Sequence, residues 1–152
     1  MELQRLSLTN FRAFKQAEFD FKPGMNLIVG INGVGKSSVL DAIRVMFSRV
    51  VPQISHLRSF PLSFTNDDIT VNESTLSVSM NFVYGQIAID GLAQIFRENT
   101  VDTNTEGDVR NQTYDVDNRY QFSADSKINS TKLSSKFGQP LVVYYSTNRS
   151  VT

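Results

Sequence analysis

Eight consecutive residues, Gly30-Ile31-Asn32-Gly33-Val34-Gly35-Lys36-Ser37, set three glycines, a lysine and a hydroxyl at fixed spacing. This is the G-x-x-x-x-G-K-[ST] pattern of a Walker A loop. Each fixed position has a mechanical reason. Gly30, Gly33 and Gly35 permit backbone angles that side chains forbid. A loop so built can wrap phosphates and aim successive N–H groups at them. A helix starting near Lys36 would add its positive dipole end. Lys36 is expected to reach the β- and γ-phosphates, and Ser37 to ligate Mg²⁺ through its hydroxyl. Ser38, next in the first turn, is placed to bond the α-phosphate. The ligand expected from these residues is a purine nucleotide, Mg·ATP. The competing reading, a glycine-rich turn with no ligand, loses ground because the motif also sits between an apolar run and an amphipathic stretch.

Those flanks must position the loop. Met25-Asn26-Leu27-Ile28-Val29 is a short, nearly continuous apolar run, as in strands buried on both faces. After the loop, Val39, Ile43, Met46, Phe47 and Val50 fall on one helical stripe, and Pro52 is expected to end that helix. Upstream, residues 3–8 read as a short strand and Asn10 to Phe14 as a turn. Ala17, Phe19 and Phe21 alternate with Glu18 and Asp20 as a half-buried strand, closed by Lys22-Pro23-Gly24. The natural reading is a hairpin. Downstream, residues 51–72 read as loop. Leu76, Val78, Met80 and Phe82 then alternate with Ser77, Ser79 and Asn81. Tyr84-Gly85-Gln86 turns the chain into a second strand near Ile87 and Ile89, with Gly91 as a bulge or its end.

Residues 99–131 are polar, with one further strand expected near Tyr114 to Phe122 and a weak helix signal over 126–137. Pro140 opens a buried strand at Leu141 to Tyr145. The division is therefore 1–50 (hairpin, P-loop and helix), 51–98 (loop and antiparallel strands), 99–139 (polar insertion) and 140–149 (buried strand), within one ATP-binding lobe, 1–152. The fold class is α/β: a central buried strand, the P-loop and its helix, and an antiparallel β layer from 1–21 and 74–97 packed beside them.

Composition sets bounds. Of 152 residues, 40% are hydrophobic and 20% charged, with 15 basic against 15 acidic side chains. No global field favours nucleic acid. Without cysteine there are no disulfides or thiolate metal sites. The single histidine, His56, reads as a solvated loop residue. Neither a signal peptide nor a membrane span is legible, so the expectation is a cytoplasmic protein without membrane contact.

The kind of nucleotidase follows by elimination. No glycine after Ser37 has an aspartate three positions earlier, and no Asn-Lys-x-Asp occurs; both absences argue against a GTPase. Hydrolysis also needs an acidic motif at the end of an apolar strand. Ile87-Ala88-Ile89-Asp90 is the nearest candidate, and the strand at 141–145 ends in Ser146. Leu133-Ser134-Ser135-Lys136-Phe137-Gly138-Gln139 faintly echoes an ABC signature loop but leads into Pro140, so a charged turn is the better reading. Arg110, Arg119 and Arg149 lack the pattern of a kinase lid. Tyr114, Tyr120 and Phe122 could stack bases, but their even spacing favours one face of a strand.

The segments Leu6-Ser7-Leu8-Thr9-Asn10-Phe11-Arg12-Ala13-Phe14, Gly30 through Ser38, and Val39-Leu40-Asp41-Ala42-Ile43 together resemble the N-terminal lobe of RecF-type, SMC-like and OLD-type ATPases, a branch of the ABC ATPases. The resemblance covers about the first fifty residues. Leu141 to Arg149 is more weakly similar to a strand in ATPases of bacterial genome defence. The resemblance implies that Asn32, Gly33, Val34, Gly35, Lys36, Ser37 and Ser38 bind the phosphates, with Ser37 on the metal. It also implies that Arg12 approaches the nucleotide from the first hairpin, against the reading of a solvated turn arginine. The Q-loop would fall after 141–145, where Ser146 or Asn148 would stand in for glutamine. Signature loop, acidic motif and switch histidine are missing, and the chain stops at Val151-Thr152. The expectation is an incomplete ABC-type head, part of a longer ATPase in DNA repair, chromosome maintenance or phage defence. Its partners would be a second lobe or homodimer and, through the full-length protein, DNA. The alternative is a nucleotide-binding or dimerisation module without catalysis.

Overall fold

A computed structural model of the chain describes residues 1–54, 60–97 and 117–124. Five strands and one long helix are formed in it: β1 (Glu2–Phe11), β2 (Phe14–Asp20), α1 (Lys36–Ile54), β3 (Thr75–Tyr84), β4 (Ile87–Phe96) and β5 (Asp117–Ala124). The strands make one antiparallel sheet in the order β2-β1-β3-β4-β5. Alternation in sequence becomes two faces. Leu6 lies between Phe19 and Met80, and Leu8 between Ala17 and Val78. Leu6, Leu8, Val78 and Met80, with Ile89, Ala93 and Ile95 of β4, form the buried face, and Phe19 packs against it part-buried. Arg5, Asp20, Asn81 and Asp90 occupy the opposite face, where Arg5 pairs with Asp20 at 2.7 Å.

α1 covers the buried face with Val39, Ala42, Met46, Phe47, Val50 and Ile54. Phe47 meets Phe82 edge-on with ring centroids 5.6 Å apart. Each of the larger of these side chains, taken wholly out of water, stabilises the fold by roughly 1.5–3 kcal/mol. The helix does not stop at Pro52 but runs to Ile54. A proline in the last turn forfeits one backbone bond, and the buried Ile54 offsets that loss.

Gly91 is neither a bulge nor a strand end. It sits in mid-strand opposite Met80 and Phe122. A Cβ there would lie 2.7 Å from the Phe122 ring and 3.1 Å from the Met46 terminal methyl. The glycine lets the ring cross the strand. Gly91→Ala is expected to destabilise the chain by about 1–3 kcal/mol, read as a lower urea midpoint. An unchanged midpoint would mean that Phe122 does not pack there.

Two segments depart from the sequence reading. Met25 to Val29 is not a buried strand: it has no regular secondary structure. Met25, Leu27, Val29 and Ile31 are 97%, 81%, 76% and 78% exposed, while Ile28 packs on the core. The physical reason is pairing. Among the described residues no strand lies beside this run, so its ladder is unmade and one side of it faces water. An open cavity of about 420 Å³ separates it from β2, lined in part by Phe19, Phe21, Leu27 and Val29. The stretch 60–72 is irregular as expected, apart from a short 3₁₀ turn, Asn66–Asp68. Yet it carries Phe64, Asp68 and Ile69 into the interior. The strand in the polar insertion is β5. His56, Arg110, Tyr114, the helix signal over 126–137, the stretch 133–139, and everything from Pro140 to Arg149 lie outside the described residues.

Candidate nucleotide-phosphate site

The glycine loop leads directly into α1. Gly33 and Gly35 adopt φ of 88° and 94°, angles open to glycine and costly for other residues. The first helical bond runs from the Val39 N–H to the Gly35 carbonyl at 3.1 Å. No acidic side chain stands in the first turn, so the helix's own sequence does not neutralise its positive end there. The Lys36 ammonium donates to the carbonyls of Gly30 at 2.7 Å and Ile31 at 2.6 Å. It thus lies folded across the loop. Asn32 and Ser37 are exposed, Val34 is 44% exposed, and Ser38 is half-buried. Gly35 is overlain by Phe14 of β2: a Cβ there would be 2.6 Å from the ring. The hairpin therefore roofs the loop.

The hairpin also brings Arg12 to α1. Arg12 is not a freely solvated turn residue. Its Nε donates to Asp68 Oδ1 and its Nη1 to Asp41 Oδ2, both at 2.8 Å. The same Nη1 lies 3.5 Å from the Ser38 hydroxyl, and the guanidinium carbon is 5.1 Å from the Phe11 ring centroid. Burial works against the charge, but hydrogen bonds and Coulombic attraction from Asp41 and Asp68 outweigh it. The Arg12 pKa is raised above the ordinary arginine value. A raised pKa means stabilisation that is complete below the unfolded value and lost only as pH climbs through the folded one. Arg12 therefore stays a cation across about pH 5–10.

Beside this bridge is a cavity of about 190 Å³, lined in part by Arg12, Asp41, Arg44, Ser63 and Asp68. Sequence reasoning did not single out Asp41 or Asp68. Asp41 is visible as a helix position one turn beyond Ser38. Asp68 is 56 residues from Arg12 in a stretch without periodicity, and nothing local marks it.

The other sequence candidates fall elsewhere. Asp90 is exposed on the face of the sheet away from α1, accepting a 2.5 Å bond from Asn81; it cannot serve the glycine loop as an acidic motif. Tyr120 is built into the fold: its hydroxyl accepts the Phe64 N–H at 2.9 Å, and Arg49 stacks on its ring at 3.8 Å. Phe122 packs over Gly91. Neither ring is offered to a nucleic-acid base. Among the described residues no cluster of three or more His, Cys, Asp or Glu could hold a metal ion. No described helix is long and apolar enough to cross a membrane.

Comparison with known proteins agrees with the resemblance read from the first fifty residues. A family model described as an AAA domain matches residues 5–150. The DNA double-strand break repair Rad50 ATPase of Archaeoglobus fulgidus is 41% identical over 80 residues, covering 53% of this chain and 8% of that protein. The DNA replication and repair protein RecF of Magnetococcus marinus is 52% identical over 46 residues, covering 30% of this chain and 12% of that protein. A solved structure of the recombination mediator RecF–ATP matches with a TM-score of 0.42 and 26% identity, covering 62% of this chain and 23% of that one. The chain thus spans about a tenth of the length of the curated relatives it matches.

Proposed function

The chain belongs to the AAA domain family, and from that premise we propose that it binds Mg·ATP as the N-terminal part of an ATPase head that works in DNA repair. The observation that carries this reading is the loop itself. Gly33 and Gly35 hold left-handed angles, and Lys36 is folded across them onto two carbonyls at the start of α1. A phosphate would exchange those carbonyls for a stronger, charge-assisted partner. Asn32 to Gly35 would contribute backbone N–H groups, Ser38 its hydroxyl, and Arg12 a second cation. Mg²⁺, which keeps several waters and relies on substrate phosphates, fits a site whose protein ligand is the Ser37 hydroxyl. Bound there, the ion would neutralise charge on the phosphates.

A second lobe is the partner this reading requires. Met25, Leu27, Val29 and Ile31 would be covered when further strands pair with that run, completing the central strand expected from the sequence. DNA is a partner proposed for the full-length protein, by way of the Rad50 and RecF relatives. The runner-up is a nucleotide-binding module without hydrolysis. It is favoured by one observation: the carboxylates of Asp41 and Asp68 are both taken up by Arg12.

The test is ATP binding and turnover by this chain with Mg²⁺, wild type beside Lys36→Ala. Loss of one charge-assisted contact predicts roughly a tenfold to hundredfold weaker affinity, with no turnover in either protein. Equal affinity in the two would sink the phosphate-site reading. Turnover that climbs steeply with protein concentration would show that copies of this chain complete an active site by themselves.

A further inference from the structure

Arg12 is held by two carboxylates that do not do the same thing. Asp68 takes Nε, the nitrogen at the root of the guanidinium, and its second oxygen accepts the Thr65 N–H at 2.9 Å. It is 9% exposed and tied to the Thr65 backbone as well as to Arg12. Asp41 takes Nη1, the nitrogen that also faces Ser38, and it rides on α1.

The backbone around Arg12 is strained in the same direction. Asn10 and Arg12 both have φ of 52°, uncommon for non-glycine residues and costing on the order of 1–3 kcal/mol where it persists. The segment carrying Asp68 holds this turn in place. The Arg12 N–H donates to the Asp68 carbonyl at 2.7 Å, the Thr70 N–H to the Asn10 carbonyl at 2.9 Å, and the Thr70 hydroxyl to the Arg12 carbonyl at 2.9 Å. Phe11 and Ile69 form a bridge between them. One short segment therefore fixes both the backbone and the side chain of Arg12.

We propose that Asp68 is the positioning residue for Arg12, gripping the guanidinium by Nε so that Nη1 can leave Asp41 for a nucleotide phosphate. Asp41 is then a placeholder that a phosphate displaces, whereas the Asp68 contact persists in the bound state. The inference rests on the phosphate-binding reading above and adds a division of labour to it. An ion-pair network that merely braced the hairpin would respond alike to loss of either carboxylate. A positioning residue and a placeholder respond in opposite directions.

The experiment is Mg·ATP affinity of this chain by titration calorimetry, with circular dichroism to verify folding. The proteins are wild type, Lys36→Ala, Arg12→Ala, Asp68→Asn, the Arg12→Ala/Asp68→Asn double variant, and Asp41→Asn. Asp68→Asn is expected to weaken binding roughly tenfold, the worth of one charge-assisted contact. It should add nothing to Arg12→Ala, because both act through one group. Asp41→Asn is expected to tighten binding by up to about fivefold, the scale of an exposed ion pair. Should Asp68→Asn fail to fold, Thr70→Val loosens the same turn through the Arg12 carbonyl and is expected to weaken binding in its place.

Binding that is lost in Lys36→Ala yet untouched by Asp68→Asn overturns this proposal alone. So do additive losses in the double variant, or weaker binding by Asp41→Asn. Absence of ATP binding in the wild type, or binding that Lys36→Ala leaves intact, overturns the phosphate-site reading and this proposal with it.

Discussion

Replacing Phe64 by alanine is expected to lower the stability of this chain by about 3–5 kcal/mol, a large fraction of the 5–15 kcal/mol typical of a domain. The ring is 2% exposed. It meets Phe11 edge-on at 5.4 Å and stacks on Tyr120 at 6.3 Å. It is therefore the link between the first hairpin and β5, two elements at different places in the sheet order. Its backbone N–H also holds the Tyr120 hydroxyl. Alanine would leave a cavity between the hairpin and β5, lined by Phe11 and by the Tyr120 ring on which Arg49 stacks. At about 2–4 °C per kcal/mol for a chain of this size, the melting temperature should fall by about 10 °C. A fall of less than about 3 °C would mean that the stretch 60–65 is not packed as described. Phe60, four residues earlier in the same irregular stretch and 96% exposed, is the control: Phe60→Ala should leave the melting temperature almost unmoved.

The contrast between those two phenylalanines shows where sequence reading reaches its limit. In β3 the alternation of Leu76, Val78, Met80 and Phe82 with polar neighbours reports burial directly, because the period of the strand matches the period of the pattern. The helix stripe from Val39 to Val50 is legible for the same reason. Phe60 and Phe64 lie in an irregular stretch, where no period connects residue type to side, so one is exposed and the other buried without local warning. Met25 to Val29 is the converse case. Apolar content there predicts burial on both faces, but burial also needs partners, and none of the described strands supplies one. The site follows the same division. Gly33, Gly35 and Lys36 are legible because left-handed loop angles and the start of the helix are local demands, whereas Gly30 lacks the left-handed angle. The partners of Arg12 are not legible, since Asp68 reaches it only through the fold. Gly91 reads as a bulge or strand end from sequence because the ring that requires it, Phe122, stands across a strand pair.

On the proposed phosphate-site reading, Gly35→Ala should weaken Mg·ATP binding by this chain more than the loss of any single contact does. Two penalties coincide at this position. The φ of 94° lies where a side chain costs on the order of 1–3 kcal/mol. The new Cβ would also stand 2.6 Å from the Phe14 ring. That ring is itself seated edge-on against Phe19 at 5.9 Å, in a sheet that is far better braced than the loop. The loop is therefore the part that yields. Once Gly35 moves, the amides of the loop, the Lys36 stem and the start of α1 lose their common focus, so all of the contacts to phosphate weaken together. The expected result is affinity for Mg·ATP lower by more than about a hundredfold, beyond the range of one charge-assisted bond, with the sheet still folded by circular dichroism. The double variant Gly35→Ala/Phe14→Ala separates the causes. It removes the clash and keeps the backbone angle, so it should not recover affinity. Recovery of affinity would show that the ring contact, and not the left-handed angle, is what reserves this position for glycine. Wild-type affinity in Gly35→Ala itself would mean that the loop does not hold the phosphates in this conformation.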